Sequence, residues 1–286
     1  MRLTELFDLN VSRLSMTFGK NTIKYLLMIL CTAAFLMTGC PAEEEQGIDI
    51  SAKSSSISII QKCEDFARIP VREYLLDNNV WGKENISNYR QCIWADTASD
   101  PLTAGWSWSW GESGDRKKVK AYPEIHYGWD WDKKFTTPKL PLKINKINKL
   151  QVTYDVTTSA EGLYNLAFDL WLTKAPFPTR ENLSREVMIW VDGTQHSPGT
   201  KPIKKVSIDG NEYELFINHD WNKWTYFAFI KVVPQPRGTL NVHAFLSFLE
   251  DEGYLSPNES LVEVEIGNEV WAGKGQTVVK NFSVNL

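Results

Sequence analysis

Three acidic residues of this 286-residue chain stand beside indoles in strand-like runs. In Glu186-Val-Met-Ile-Trp-Val191, a two-residue period puts Glu186, Met188 and Trp190 on one face and Val187, Ile189 and Val191 on the other. The second face is core. The first offers a carboxylate, a thioether and an indole, an odd set for a surface that only meets water. By the same rule Asp169 accompanies Trp171, opposite Phe168, Leu170 and Leu172. Glu269 shares a face with Gly267 and Trp271, which leaves room beside the carboxylate. Any one of these acids alone reads as a surface ion pair; three, each beside an indole, do not. Two facing carboxyls can cleave a glycosidic bond, one protonating the leaving oxygen and the other working from the opposite side of the anomeric carbon. A gap of about 5–5.5 Å gives a covalent intermediate and retention, whereas about 6.5–9.5 Å admits water and gives inversion.

The elements that must carry these residues read as short strands. Val152–Val156, Leu166–Leu172, Glu186–Val191 and Val262–Ile266 alternate, and turn residues such as Asp192-Gly193, Pro198-Gly199 and Asp209-Gly210-Asn211 punctuate them. One helix is predicted after Thr239, where Val242, Phe245, Leu246 and Leu249 follow helical spacing, with Gly253 as its stop. The chain has 12 Trp and 10 Tyr. Trp106, Trp108 and Trp110 fall on one strand face, and a sandwich core could absorb them. With Trp81, Trp129, Trp131, Trp171 and Trp190 they exceed what one core needs. Flat aromatic faces stack on the C–H faces of sugar rings, so the surplus points to carbohydrate.

Several segments occur in a telling order: Asn78-Asn-Val-Trp-Gly82, Gly105-Trp-Ser-Trp-Ser-Trp110, Val119-Lys-Ala-Tyr-Pro-Glu-Ile125, Tyr164–Trp171, Glu186–Trp190, Gly267–Gly273 and Val278–Ser283. This order resembles glycoside hydrolase family 12, the β-jelly-roll endoglucanases and xyloglucanases. The resemblance implies an all-β jelly-roll sandwich of two antiparallel sheets, with a concave cleft and one helix packed against it. It implies Glu186 as nucleophile, Glu269 as acid/base, and Asp169 as a helper hydrogen-bonded to Glu186. Asn79 and Trp81 would serve the non-reducing-side subsites, with Trp110, Trp171, Met188 and Trp190 as further sugar contacts. Pro198 sits in a loop that only loosely matches the family's loop near the leaving-group subsite, and Val270 replaces the usual Pro or Ala after the acid/base. The implied activity is retaining endo-cleavage of a β-1,4-glucan (cellulose-type, mixed-linkage or xyloglucan), with a bell-shaped, mildly acidic pH profile. Two alternatives stay open: a xyloglucan-specific hydrolase or transglycosylase on the same site, and a surface glycan-binding protein without catalysis.

No metal or organic cofactor is implied, and His126, His196, His219 and His243 show no metal-ligand spacing. The net charge of −4 comes with no basic stripe, which argues against nucleic acid. Residues 1–40 read as a lipoprotein signal: Lys20 and Lys24 precede an apolar run from Tyr25 to Met37 that ends in Thr38-Gly39-Cys40. Met16 is an alternative start. Cys40 would carry the lipid, residues 41–58 would form a flexible tether, and residues 59–286 the hydrolase domain. The chain is then exported, anchored to a bacterial membrane facing the periplasm or cell surface, and expected to act as a monomer. Cys63 and Cys92, the cysteines within the domain, would in that setting form one disulfide.

Overall fold

The computed structural model describes residues 58–286 apart from 112–114 and 133. Cys40 and the tether before residue 58 lie outside the described residues. The strands are β1 (Ile59–Lys62), β2 (Arg68–Val71), β3 (Tyr74–Asp77), β4 (Arg90–Asp96), β5 (Thr103–Gly111), β6 (Glu124–Gly128), β7 (Leu142–Lys143) and β8 (Gln151–Thr173). They continue with β9 (Leu183–Gly193), β10 (Lys204–Ile208), β11 (Asn211–Trp221), β12 (Trp224–Lys231), β13 (Arg237–Asn241), β14 (Ser260–Gly267) and β15 (Val270–Asn285).

One layer runs β1-β4-β5-β15-β8-β13, and the other runs β2-β3-β6-β14-β8-β9-β12-β11-β10. All pairs are antiparallel except β9 with β12, which is parallel. The expected jelly-roll sandwich is thus present with that one exception. The layers close on one hydrophobic core that takes Ile93, Trp106, Val156, Phe168, Leu170, Val187, Ile189 and Val264 from both sides.

The two runs Val152–Val156 and Leu166–Leu172 belong to one 23-residue strand, β8. Its first half pairs with β15 and β13, and its second with β14 and β9, so it serves both layers. The crossing falls at Gly162, which faces Gly273 of β15, both at positive φ (113° and 96°). A Cβ on Gly273 would sit 1.9 Å from the Glu161 carbonyl oxygen, so only glycine passes there.

The helix α1 (Val242–Asp251) forms where the spacing predicts it. The Asn241 side chain accepts from the Ala244 amide, and Val242, Phe245, Leu246 and Leu249 are buried. Phe245 packs edge-on against Tyr213 of β11 and Phe229 of β12. Cys63 and Cys92 are joined, which ties the end of β1 to β4.

Candidate active site

The alternation read from the sequence holds on β8 and β9. Val187, Ile189, Val191, Phe168, Leu170 and Leu172 enter the core, and the intervening residues line the other face of the larger layer. On that face Glu186 lies opposite Trp171, Met188 opposite Asp169, and Trp190 opposite Ala167. Glu269 sits between β14 and β15, followed by the core residue Val270 and then Trp271, whose ring is 5.9 Å from that of Trp190. Space beside Glu269 is not what Gly267 supplies. A Cβ there would meet the Pro123 carbonyl, the Tyr122 ring and the Glu124 Cβ, all within 3.0 Å, so this glycine lets β6 and its leader pack close.

Each candidate catalytic carboxyl has one neutral donor. Trp224 Nε1 donates to Glu186 Oε2 at 2.5 Å. Asn165 Nδ2 donates to Glu269 Oε2 at 2.5 Å, while its Oδ1 accepts from the Glu269 amide at 2.9 Å, so the amide orientation is fixed. Burial pushes Glu186 up to about 8, eased by the Trp224 bond and reinforced by the charges on Glu269 and Glu265. Burial likewise pushes Glu269 up to about 7 against the Asn165 bond.

Asp169 does not hydrogen-bond to Glu186. It lies two residue pairs along, opposite Met188, so the two meet diagonally and interact through charge. Its Oδ1 is buried without a partner. Burial first, then the neighbouring carboxylates, hold Asp169 well above the ordinary carboxylate range.

The indoles sort into three groups. Trp110 is core: it is fully buried, stacks on Tyr89 at 4.0 Å and donates to Gln91, so its expected sugar contact is withdrawn. Trp106 and Trp108 join it in the core. Trp171 belongs to a separate aromatic cluster with Trp129, Trp131 and Trp224 beside Glu186, its ring edge-on to those of Trp131 and Trp224. Met188, Trp190 and Trp271 form another with Tyr122, Phe216 and Tyr226, and the Tyr226 hydroxyl donates to the Met188 sulfur at 3.3 Å. Trp81 is 56% exposed, the disposition of a stacking platform rather than a core residue, and its amide is held by Asn79 Oδ1. Asn79 also donates to Glu124 at 2.9 Å. Pro198 lies in the turn after β9 that the Ser197 hydroxyl closes onto the Thr200 carbonyl.

The family model of glycosyl hydrolase family 12 matches residues 72–286. The chain belongs to this family. It is similar to Endoglucanase S of Pectobacterium parmentieri, 31% identical over 223 residues that span 75% of this chain and 82% of the relative. It is also similar to a probable xyloglucan-specific endo-beta-1,4-glucanase A of Aspergillus clavatus, 25% identical over 78% of this chain and 90% of the relative. Among solved structures, a family 12 xyloglucanase from Bacillus licheniformis superposes with a TM-score of 0.72 at 28% identity, covering 79% of this chain and 99% of that one.

Sequence spacing missed four polar residues of this family 12 chain. Asn165 shares the Asp169 and Trp171 face of β8, and Trp224 the Tyr226 face of β12, but neither is a carboxylate beside an indole and both were passed over. His126 and Glu265 come together only through the pairing of β6 with β14. Glu124, His126 and Glu265 are the one group among the described residues whose potential ligand atoms lie within 4.8 Å of one another. Those atoms already engage each other: His126 Nδ1 is 2.5 Å from Glu263 Oε1 and 3.0 Å from Glu265 Oε1, and Nε2 is 3.4 Å from Glu124 Oε1.

Proposed function

We propose that the chain is an endo-acting, retaining β-1,4-glucanase in which Glu186 attacks the anomeric carbon and Glu269 acts first as acid and then as base. One observation carries the reading: a buried Glu186 on β9 and a partly buried Glu269 at the β14–β15 junction, close enough for charge to act between them and each gripped by a single neutral donor. The relatives act on glucans by their names, which supports a β-1,4-glucan backbone as substrate and xyloglucan as one form of it. Trp81 offers the exposed aromatic face that a sugar ring stacks on, whereas Trp171 and Trp190, expected as sugar contacts, are buried within their clusters and back the site from behind.

The Trp224 bond occupies Oε2 of Glu186 and leaves Oε1 to attack. Asn165 occupies Oε2 of Glu269 and leaves Oε1 for the proton that passes to the leaving oxygen. The bond from C1 to that oxygen breaks as the bond to Glu186 forms, giving an ester. Its formation removes the charge on Glu186, so Glu269 loses a repelling neighbour and can take a proton from the attacking water. The water's oxygen then displaces Glu186, and the sugar leaves with its configuration retained.

The test separates the two roles by product. With an aryl β-glycoside that needs no protonation and with added azide, Glu269→Ala is expected to yield a β-glycosyl azide through the Glu186 ester. Glu186→Ala is expected to yield an α-glycosyl azide directly. Swapped anomers by NMR would reverse the roles, and parent-level activity on polymer in either variant would remove that residue from the reaction.

The apolar run ending in Thr38-Gly39-Cys40 supports a lipid on Cys40 that anchors a monomeric enzyme outside the cell's inner compartment. Cys40→Ser is expected to move the protein from the membrane pellet to the soluble fraction, and a variant that pelleted as fully as the parent would refute the anchor.

A further inference from the structure

Next to Asp169 the sheet face carries more acid than the reaction uses. Across β8, β14, β6 and β3 one row reads Asp169, Glu265, His126 and Leu75, each the Cα partner of the next. Glu263 and Glu124 flank that row on β14 and β6, and Asp77 on β3 pairs with Arg68 at 2.7 Å. From β9 Glu186 lies within reach of the cluster's charge, as do Glu269 and the phenols of Tyr122 and Tyr226. Glu124, His126, Glu263 and Glu265 are each no more than 2% exposed. Among the described residues, the basic groups paired with these carboxyls are His126 and Arg68.

A buried carboxylate without a counter-charge costs several kcal/mol, so most of these acids keep their protons. Geometry picks out the exception. His126 Nδ1 lies between Glu263 Oε1 at 2.5 Å and Glu265 Oε1 at 3.0 Å, but of the two only Glu265 also receives an indole donor, Trp131 Nε1 at 3.4 Å. Glu124 and Glu263 are both pushed well up, chiefly by burial, and each lies within hydrogen-bonding reach of Glu265. Each also has an oxygen to which nothing donates, as a protonated carboxyl can. Despite its own burial, these donors hold Glu265 below the ordinary carboxylate range.

We propose that Glu265 is a positioning residue of the glucan-cleaving site: among Glu124, Glu263 and Glu265 it takes the one negative charge, beside His126, and so keeps its strand neighbour Asp169 neutral. The charge thereby sits two strands from Glu186 instead of one, because β14 is separated from β9 by β8. Asp169 then stands beside Glu186 as a neutral carboxyl, and the nucleophile can ionise without a second charge on the adjoining strand. The inference rests on the assignment of Glu186 as the attacking carboxylate, but its test does not need activity.

The experiment follows the Asp169 carboxyl by 13C NMR in aspartate-labelled protein, with the resonance assigned through its loss in Asp169→Asn. In the parent it is expected to titrate well above free aspartate. In Glu265→Gln the midpoint is expected to fall by about one pH unit, the effect of losing one near charge. Glu263→Gln, on the same strand but already neutral, is expected to leave it in place. Should Glu265→Gln fail to fold, His126→Gln removes the ring nitrogen that faces Glu265 at 3.0 Å, raises the affinity of Glu265 for a proton, and is expected to lower the midpoint in the same direction. On β-glucan, Glu265→Gln is expected to lose about tenfold in kcat with little change in KM once Asp169 has ionised. An ordinary Asp169 titration in the parent, or an unmoved one in Glu265→Gln, overturns the proposal. So does a rise in melting temperature with zinc ions that disappears in Glu265→Gln, which would make the cluster a cation site. A parent that cleaved no β-glucan would refute the proposed function and leave the Asp169 titration to decide this point.

Discussion

Trp224 and Asn165 each supply a carboxyl of the site with its one donor, and removing either has a sign that can be worked out. A hydrogen bond to a carboxylate favours its charged form, so Trp224→Phe raises the affinity of Glu186 for its proton still further. Activity needs Glu186 ionised and Glu269 protonated; with Glu186 already the weaker acid of the two, raising it further lowers the active fraction and moves the alkaline limb of kcat/KM to higher pH. The maximum is expected to fall about 10- to 100-fold, the scale of one charge-assisted bond. A pH profile of the variant checks both. In the parent, burial raises Glu186 to about 8 and Glu269 to about 7, which centres the expected bell near neutrality. The carboxyls Glu186, Asp169 and Glu269 were legible because each shares an alternating face with an indole. Their donors were not, because an Asn on β8 and a Trp from another hairpin lack the carboxylate that marks such a face. Trp110 misled for the converse reason: a face of three indoles looks the same whether it meets sugar or core.

Strand alternation and the helix were read correctly wherever hydrophobic periodicity was unbroken. It failed in the middle of β8, where Thr157, Ser159, Glu161 and Gly162 are exposed and imitate a turn between two strands. It also missed the parallel pairing of β9 with β12, since register between distant strands leaves no trace within either. At the edge of the smaller layer, β1 is exposed along all four residues and has little apolar burial to hold it. The Cys63–Cys92 bond, closing a separation of 29 residues, compensates. Its reduction is expected to cost about 3 kcal/mol, read as a lower denaturant midpoint. Turnover under permissive conditions should stay at the parent level, because β1 lies in the layer opposite the site.

At the scale of the molecule, the acid-rich face makes stability depend on pH in an unusual direction. Unfolded glutamate ionises near 4.5, while folded Glu186 and Glu269 hold their protons to about 8 and about 7. Between those limits the folded chain binds more protons than the unfolded one, so raising the pH favours unfolding. Asp169, Glu124 and Glu263 act in the same sense, and Glu265 opposes them. The melting temperature is expected to be several degrees higher at pH 5 than at pH 8, and a scan across that range measures it. A Glu186→Gln, Glu269→Gln double variant should flatten the slope.

Because β8 is a single run of backbone hydrogen-bonded into both layers, neither layer has a complete set of partners without it. Loosening the layer behind the site would strip β15 and β8 of their ladder and, through the same strand, unseat Asp169 and Trp171 in the other. The sandwich therefore has no half that could open while the other stays shut. Its melting is expected to be all-or-none, with calorimetric and van't Hoff enthalpies that agree, and a break in the chain near Gly162 is expected to be felt at the site as soon as at the cut.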